Sequence, residues 1–237
     1  MTLARAILVF FAIACLAIAG RARPQEGAIN GKVTFTGTVV KGKPIDVSKE
    51  PACVKMHAND PLVNETVVAG PDNSLANVVV YISGGPSDSN APVGEAASFD
   101  QKNCHYATHV LAAQLGQEIK ISNSDPFAHN IHPLAKVNRE WNRMQLPNTP
   151  SFSYAYDKEE FIPVKCNIHP WMLGYFVILK TSHFAVTGED GRFSLPHLPP
   201  GHYVVTAWHE SFGTKSQELN VTGKDKHSIS FVFDAKH

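Results

Sequence analysis

The chain has 237 residues, 43% of them hydrophobic, with 21 Lys plus Arg against 21 Asp plus Glu. So even a balance gives no electrostatic reason to expect nucleic acid or an anionic membrane surface as a partner. The length allows a sizeable buried core, in one large domain or two small ones.

At the N-terminus, Arg5 precedes an uncharged, mostly apolar run from Ala6 to Ala19. That run is too short to span a bilayer, so no membrane-spanning segment is expected. It ends in Ala17-Ile18-Ala19, a small-x-small pattern, and residues 1–19 read as a secretory signal peptide of an exported, periplasmic protein. Lipoprotein processing at Cys15, after Ala12-Ile13-Ala14, is the alternative; the usual leucine is missing and apolar residues continue past the cysteine.

Residues 20–27 read as a polar linker, and from Ala28 the chain reads as strands and turns. Ile29 to Gly37 alternates apolar and polar, the region from Cys53 to Asp60 is polar and irregular, and Leu75 to Ile82 is a β-branched run suited to a buried strand. Residues 28–94 are thus an N-terminal β segment closing in a Gly/Pro/Ser loop. In residues 95–182, Leu111–Gln117 and Glu118–Ile121 read as strand, turn and strand; Phe152–Tyr156, Glu160–Lys165 and Gly174–Leu179 are further strands. Beyond Lys180, in a β segment over 183–235, two strands flank a Glu189-Asp190-Gly191 turn, and a third begins after Pro199-Pro200-Gly201. Apart from the N-terminal run, no stretch sustains a helical period, and the chain is expected to be all-β.

The chemistry concentrates in Cys166-Asn167-Ile168-His169-Pro170-Trp171-Met172. Seven residues offer a thiolate, an imidazole and a thioether, the donor set of a blue-copper site short of one histidine. Upstream, Asn123-Ser124-Asp125-Pro126-Phe127-Ala128-His129-Asn130-Ile131-His132 offers His129. A lone C-x-x-H is a weak signal. It could be half of a zinc site, although no second C-x-x-C or C-x-x-H is present. A Cys–His nucleophile pair would need an orienting third group, and the plainest reading is a buried core cysteine beside surface histidines.

Together the two motifs resemble the cupredoxins, in the amicyanin-like pattern of His-Asn on one loop and C-x-x-H-P-x-M on the last, over residues from about Tyr106 to Val177. The resemblance implies one type 1 copper held by the ring nitrogens of His129 and His169, the thiolate of Cys166 and, as a weak axial donor, Met172. It also implies a backbone N–H from Asn130 to the thiolate sulfur. Lys165 and Asn167 depart from the family, where an aromatic and a Thr or Ser are common. Pro170, Trp171 and Leu173 would form an apolar collar where a protein redox partner docks near His169 and Trp171; alternatively Trp171 only packs against the loop and shields the metal. His132, three residues past His129, is expected on the opposite face as a surface or supporting residue. His57, His105 and His109 are surface histidines or a second metal site, and Trp208-His209-Glu210 is too little for catalysis. With Cys166 on copper, Cys53 and Cys104 remain to form a disulfide in an oxidising compartment.

The C-terminal pairing of T-x-x-D-G-x-F-x-L (Thr187–Leu195) with L-P-P-G-x-Y-x-V (Leu198–Val205) resembles carboxypeptidase-regulatory-like, or transthyretin-like, β-sandwiches. Too little chain remains there for a whole module. Either the segment Ile29–Ile82 supplies the missing half, with the cupredoxin inserted between the halves, or a cupredoxin is simply extended by extra strands. The expected fold is therefore a cupredoxin Greek-key β-sandwich plus additional sandwich strands. Three functions follow from it: a one-electron carrier that is not an enzyme, a glycan- or protein-binding module on an inert scaffold, or a copper oxidoreductase. Met172 in the axial place and the lack of an H-x-H pair argue against the last.

Overall fold

The computed structural model describes residues 26–37, 42–86, 92–223 and 226–234. The expected signal peptide, Cys15 and nearly all of the expected linker lie outside the described residues. In chain order the elements are β1 (Gly27–Thr36), α1 (Pro51–Met56), β2 (Val79–Gly84), β3 (Ala97–Lys102), β4 (His105–Tyr106) and β5 (Val110–Gln114). There follow β6 (Ile119–Asn123), β7 (His129–Pro133), β8 (Arg143–Gln145), β9 (Phe152–Tyr154), β10 (Glu160–Lys165) and β11 (Leu173–Leu179). The last are β12 (Phe184–Val186), β13 (Arg192–Leu198), β14 (Gly201–His209), β15 (Gly213–Val221) and β16 (Lys226–Asp234). The described residues are almost entirely β, as their alternation and turn residues predict, with one short α-helix.

Helix α1 occupies part of the stretch expected to be irregular. Pro51 opens it with a pre-set φ, and the Glu50 carboxylate caps it by accepting from the Ala52 N–H at 3.4 Å. At 6 residues it is too short to impose a periodic apolar pattern.

Among the described residues, four sheets form two packed pairs. The sheets β13-β1-β16 and β12-β2-β14-β15 bury Ile29, Val33, Leu75, Val205, Leu195 and Phe231 in one core. Strands from the two ends of the chain are thus joined: β1 pairs antiparallel with β13 and parallel with β16. The sheets β5-β11-β10-β7-β8 and β4-β3-β6-β9 enclose a second core, with Phe99, Tyr106, Ile121, Ile131, Ile162 and Phe176 at its centre. Each such side chain, withdrawn from water, contributes roughly 1.5–3 kcal/mol before ordering costs.

A smaller apolar layer joins the two pairs. Val79 of β2, Val110 of β5, and Val177 and Leu179 of β11 are buried together, with Phe161, Tyr175 and Trp208 packed around them. Strand β14 serves both sides by its period of two. Tyr203, Val205, Ala207 and His209 turn into the first core. Trp208 instead packs against Phe161 at a tilt and against Tyr175 edge-on, with ring centroids at 4.9 and 5.3 Å.

Candidate metal centre

Strand β10 aims Cys166 inward. Ile162 and Val164 are buried on alternate positions, and Cys166, next in that register just past the strand, is buried with them. The turn after it folds back on itself: the Cys166 N–H donates to Met172 O at 3.1 Å and the Met172 N–H to His169 O at 2.9 Å. Strand β7 runs antiparallel beside β10, with His132 opposite Lys165. His129 is the first residue of β7 rather than a loop residue, so the sheet itself sets its position.

These elements bring His129, Cys166 and His169 together. One ligand atom from each lies within 4.8 Å of the others, and all three residues are buried. The two Nδ1 atoms face each other at 2.9 Å, and His169 Nδ1 is 3.8 Å from Cys166 Sγ. Met172, 1% exposed, is buried in the same core. The sulfur receives backbone N–H groups from His169 at 3.4 Å and Asn130 at 3.5 Å. Asn130 Oδ1 in turn accepts from the N–H of Asn167 at 2.6 Å and Ile168 at 3.3 Å, pinning the ligand turn to β7.

Electrostatics favour a thiolate here. Burial alone pushes the Cys166 thiol up, but the hydrogen bond from His129 and the backbone N–H groups of Asn130, His169 and Ile168 outweigh it and bring the pKa below its usual value. Burial likewise opposes a charge on His129, yet the hydrogen bonds to Asp125 and Cys166 raise its pKa. His169 goes the other way: burial and the neighbouring charge of His129 lower it, against the pull of Glu50.

Several supporting residues escaped the sequence reading. Asp125 Oδ2 meets His129 Nε2 at 2.8 Å, and the Asp125 carboxylate accepts from the N–H of Asn103 at 2.6 Å and of Cys104 at 2.9 Å. Glu50 Oε2 lies 3.5 Å from His169 Nε2. Phe127 packs edge-on to both imidazoles, at 5.1 and 5.8 Å. By contrast, the expected Cys53–Cys104 disulfide is present, and it ties α1 to the β3–β4 turn.

The collar has a mixed character. Trp171 is half-buried, its ring 5.2 Å from that of His169, and its indole N–H donates to Cys104 O at 2.9 Å. Ile168, Pro170 and Leu173 are exposed, whereas His169 is 2% exposed. His132 stands outside the cluster, with Nε2 on Glu140 at 2.7 Å and Nδ1 near Asn167 Oδ1 at 3.1 Å. His57 bridges Asp60 O and Asn103 O, His105 lies against Asn103 O, and His109 against Glu210. Among the described residues, His129, Cys166 and His169 are the one group of His, Cys, Asp or Glu side chains placed to share a metal.

A family model for the carboxypeptidase regulatory-like domain matches residues 174–234. No curated protein sequence matches the chain. Among solved structures, a single-site variant of reduced amicyanin is similar at 21% identity and TM-score 0.33, over 42% of this chain and 98% of that one. A cupredoxin described as novel and purple, from Nitrosopumilus maritimus, is similar at 20% identity and TM-score 0.31, over 35% of this chain and 99% of that one. The copper-containing nitrite reductase of Thermus scotoductus SA-01 is similar at 14% identity and TM-score 0.35, over 40% of this chain and 27% of that one.

Proposed function

We propose that this chain is an exported type 1 copper protein that carries single electrons and catalyses no reaction itself. The observation that carries the reading is the convergence of two imidazoles and a thiolate on one buried point. The donor set fits the metal: a soft thiolate, two imidazoles and a buried thioether suit copper, and they leave no place for a hard oxygen-loving cation. His129 and His169 would hold it through Nδ1 and Cys166 through Sγ, and the buried Met172 thioether would add a weaker soft donor. Bound there, copper supplies a reversible one-electron couple.

The protein's part is to keep that donor set unchanged between the two charge states. Asn130 clamps the ligand turn, Asp125 fixes the His129 ring, and the packed core around Met172 excludes water. A protein redox partner docks on the exposed residues flanking His169 and Trp171. The Cys53–Cys104 disulfide supports export to an oxidising compartment.

The domain organisation that goes with this reading places the copper unit, residues 95–182, between two halves of a carboxypeptidase-regulatory-like sandwich, residues 28–94 and 183–235. The core shared by β1, β2, β13, β14 and β16 supports it.

The deciding experiment is to load the purified protein with Cu(II) and record visible and EPR spectra. An intense thiolate-to-copper band that bleaches reversibly on reduction is expected, abolished by Cys166→Ser and retained by His132→Ala. A colourless product with copper bound only through nitrogen and oxygen would overturn the reading.

A further inference from the structure

Each imidazole of the metal centre presents one nitrogen to its interior and the other outward. For His129 the outward Nε2 meets a buried carboxylate, Asp125, at 2.8 Å. For His169 the outward Nε2 also meets a carboxylate, Glu50 Oε2 at 3.5 Å, while its Nδ1 faces Cys166 and His129. Glu50 comes from a distant part of the chain, and His169, which it faces, is 2% exposed.

The Glu50 side chain is held from behind. Its other oxygen, Oε1, caps α1 through the Ala52 N–H at 3.4 Å. Helix α1 cannot drift, because Cys53 within it is bonded to Cys104. Cys104 is itself fixed to the centre twice: its N–H donates to Asp125 at 2.9 Å, and its carbonyl accepts from the Trp171 indole at 2.9 Å. The disulfide therefore links the support of one imidazole to the support of the other.

We propose that Glu50 is a positioning residue of the copper centre: carried on the disulfide-anchored start of α1, its carboxylate grips the outer nitrogen of His169, orients the inner nitrogen toward the metal and adds negative charge that favours Cu(II). The proposal rests on the copper reading above. A carboxylate on the far nitrogen of a ligand imidazole fixes its tautomer and makes it a stronger donor. Both effects favour the more highly charged oxidation state.

The test compares equilibrium reduction potentials and Cu(II) EPR spectra of the copper-loaded protein and three variants. Glu50→Ala is expected to shift the balance toward Cu(I) about tenfold, about 59 mV for a one-electron couple. It should also broaden the EPR signal as the His169 ring gains freedom. Glu50→Gln keeps an acceptor for the helix cap but loses the charge, so it carries the test if Glu50→Ala does not fold; a shift of the same sign is expected. Asp46→Asn removes the same charge from the groove that Glu50 and His169 line, without touching the imidazole, and should shift the balance by less than half as much. A blue wild-type protein whose potential is unmoved by the Glu50 variants, or moved equally by Asp46→Asn, would overturn this inference alone. A wild-type protein that forms no copper–thiolate centre would overturn the copper reading and this inference together.

Discussion

Asn130 concentrates several supports in one residue. Its Oδ1 accepts two N–H groups of the ligand turn, its Nδ2 donates to Asn142 Oδ1 at 2.6 Å, and its backbone N–H reaches Cys166 Sγ. Asn130→Ala frees the two turn N–H groups and leaves a gap in the buried site of Asn130, each lost hydrogen bond counting for about 0.5–1.5 kcal/mol. Urea titration of the copper-free protein should therefore show a loss of about 2 kcal/mol or more, against a few tenths for the exposed partner in Asn142→Ala. Met172→Leu is close in volume and should leave copper bound. On the copper reading, losing a weak thioether donor disfavours Cu(II), so voltammetry of the loaded variant should show a raised potential. His209 sets a pH dependence away from the centre. Burial, with the charge of His109 second, drops its pKa to about 4 from 6.5. Since the unfolded chain binds that proton more readily, the contribution is fully present above about pH 6.5 and lost as pH falls toward 4, for roughly 3 kcal/mol at about 1.36 kcal/mol per pKa unit. His209→Gln should flatten that acid limb in denaturant midpoints measured between those values. The sequence made His129, Cys166, His169 and Met172 legible because scarce donor types crowd two short motifs. Asp125, four residues before His129, sat in view, but Ser124-Asp125-Pro126 reads as turn chemistry. Glu50 carries no local mark at all: only the tertiary fold brings it to His169.

At the scale of elements, the disulfide closes a loop with a sequence separation of 51. Loop-closure entropy puts its contribution at about 4 kcal/mol, so Cys53→Ser with Cys104→Ser should lower the denaturation midpoint accordingly. Thiol labelling of non-reduced, unfolded protein prepared without residues 1–19 should find Cys166 alone. Strand pairing is equally exacting at Gly31 on β1. A Cβ there would lie 2.1 Å from Ile229 O on the β16 backbone and 2.5 Å from the Phe193 ring. Gly31→Ala therefore forces β1 and β16 apart, and a loss of about 3 kcal/mol is expected in chemical denaturation. Strands β10 and β11 were readable almost to the residue, because buried apolar runs end there in motif residues. Strand β15 was not. Most of Gly213–Val221 is polar, with Leu219 and Val221 the apolar members, as suits a sheet edge that water and charge keep from pairing further. Helix α1 was missed because a cap and a proline define it, not a period.

For the whole molecule, the question the sequence left open was what the C-terminal strands pack against. The answer lies in pairings no local pattern reveals: β1 sits between β13 and β16, and β2 between β12 and β14. The sheets that carry the His129, Cys166 and His169 cluster are held to this sandwich by the layer around Val79, Val110, Val177 and Leu179, and Trp208 reaches across to Phe161 and Tyr175. Glu210, two residues beyond, is hydrogen-bonded to His109 at the same boundary. Both connections between the sheet pairs are also covalent, since the chain leaves β2 for β3 and returns from β11 to β12. A well-packed boundary of this kind makes the two cores unfold as one unit. In the copper-loaded wild type, thermal loss of the visible band and of near-ultraviolet circular dichroism should follow one curve. Trp208→Ala removes the largest side chain from the boundary, with an expected loss of about 3 kcal/mol. Because neither core nor any residue of the metal cluster is touched, the blue band should keep its position at room temperature while the two melting curves separate. Coincident curves in Trp208→Ala, shifted together, would mean that the remaining apolar layer couples the cores unaided.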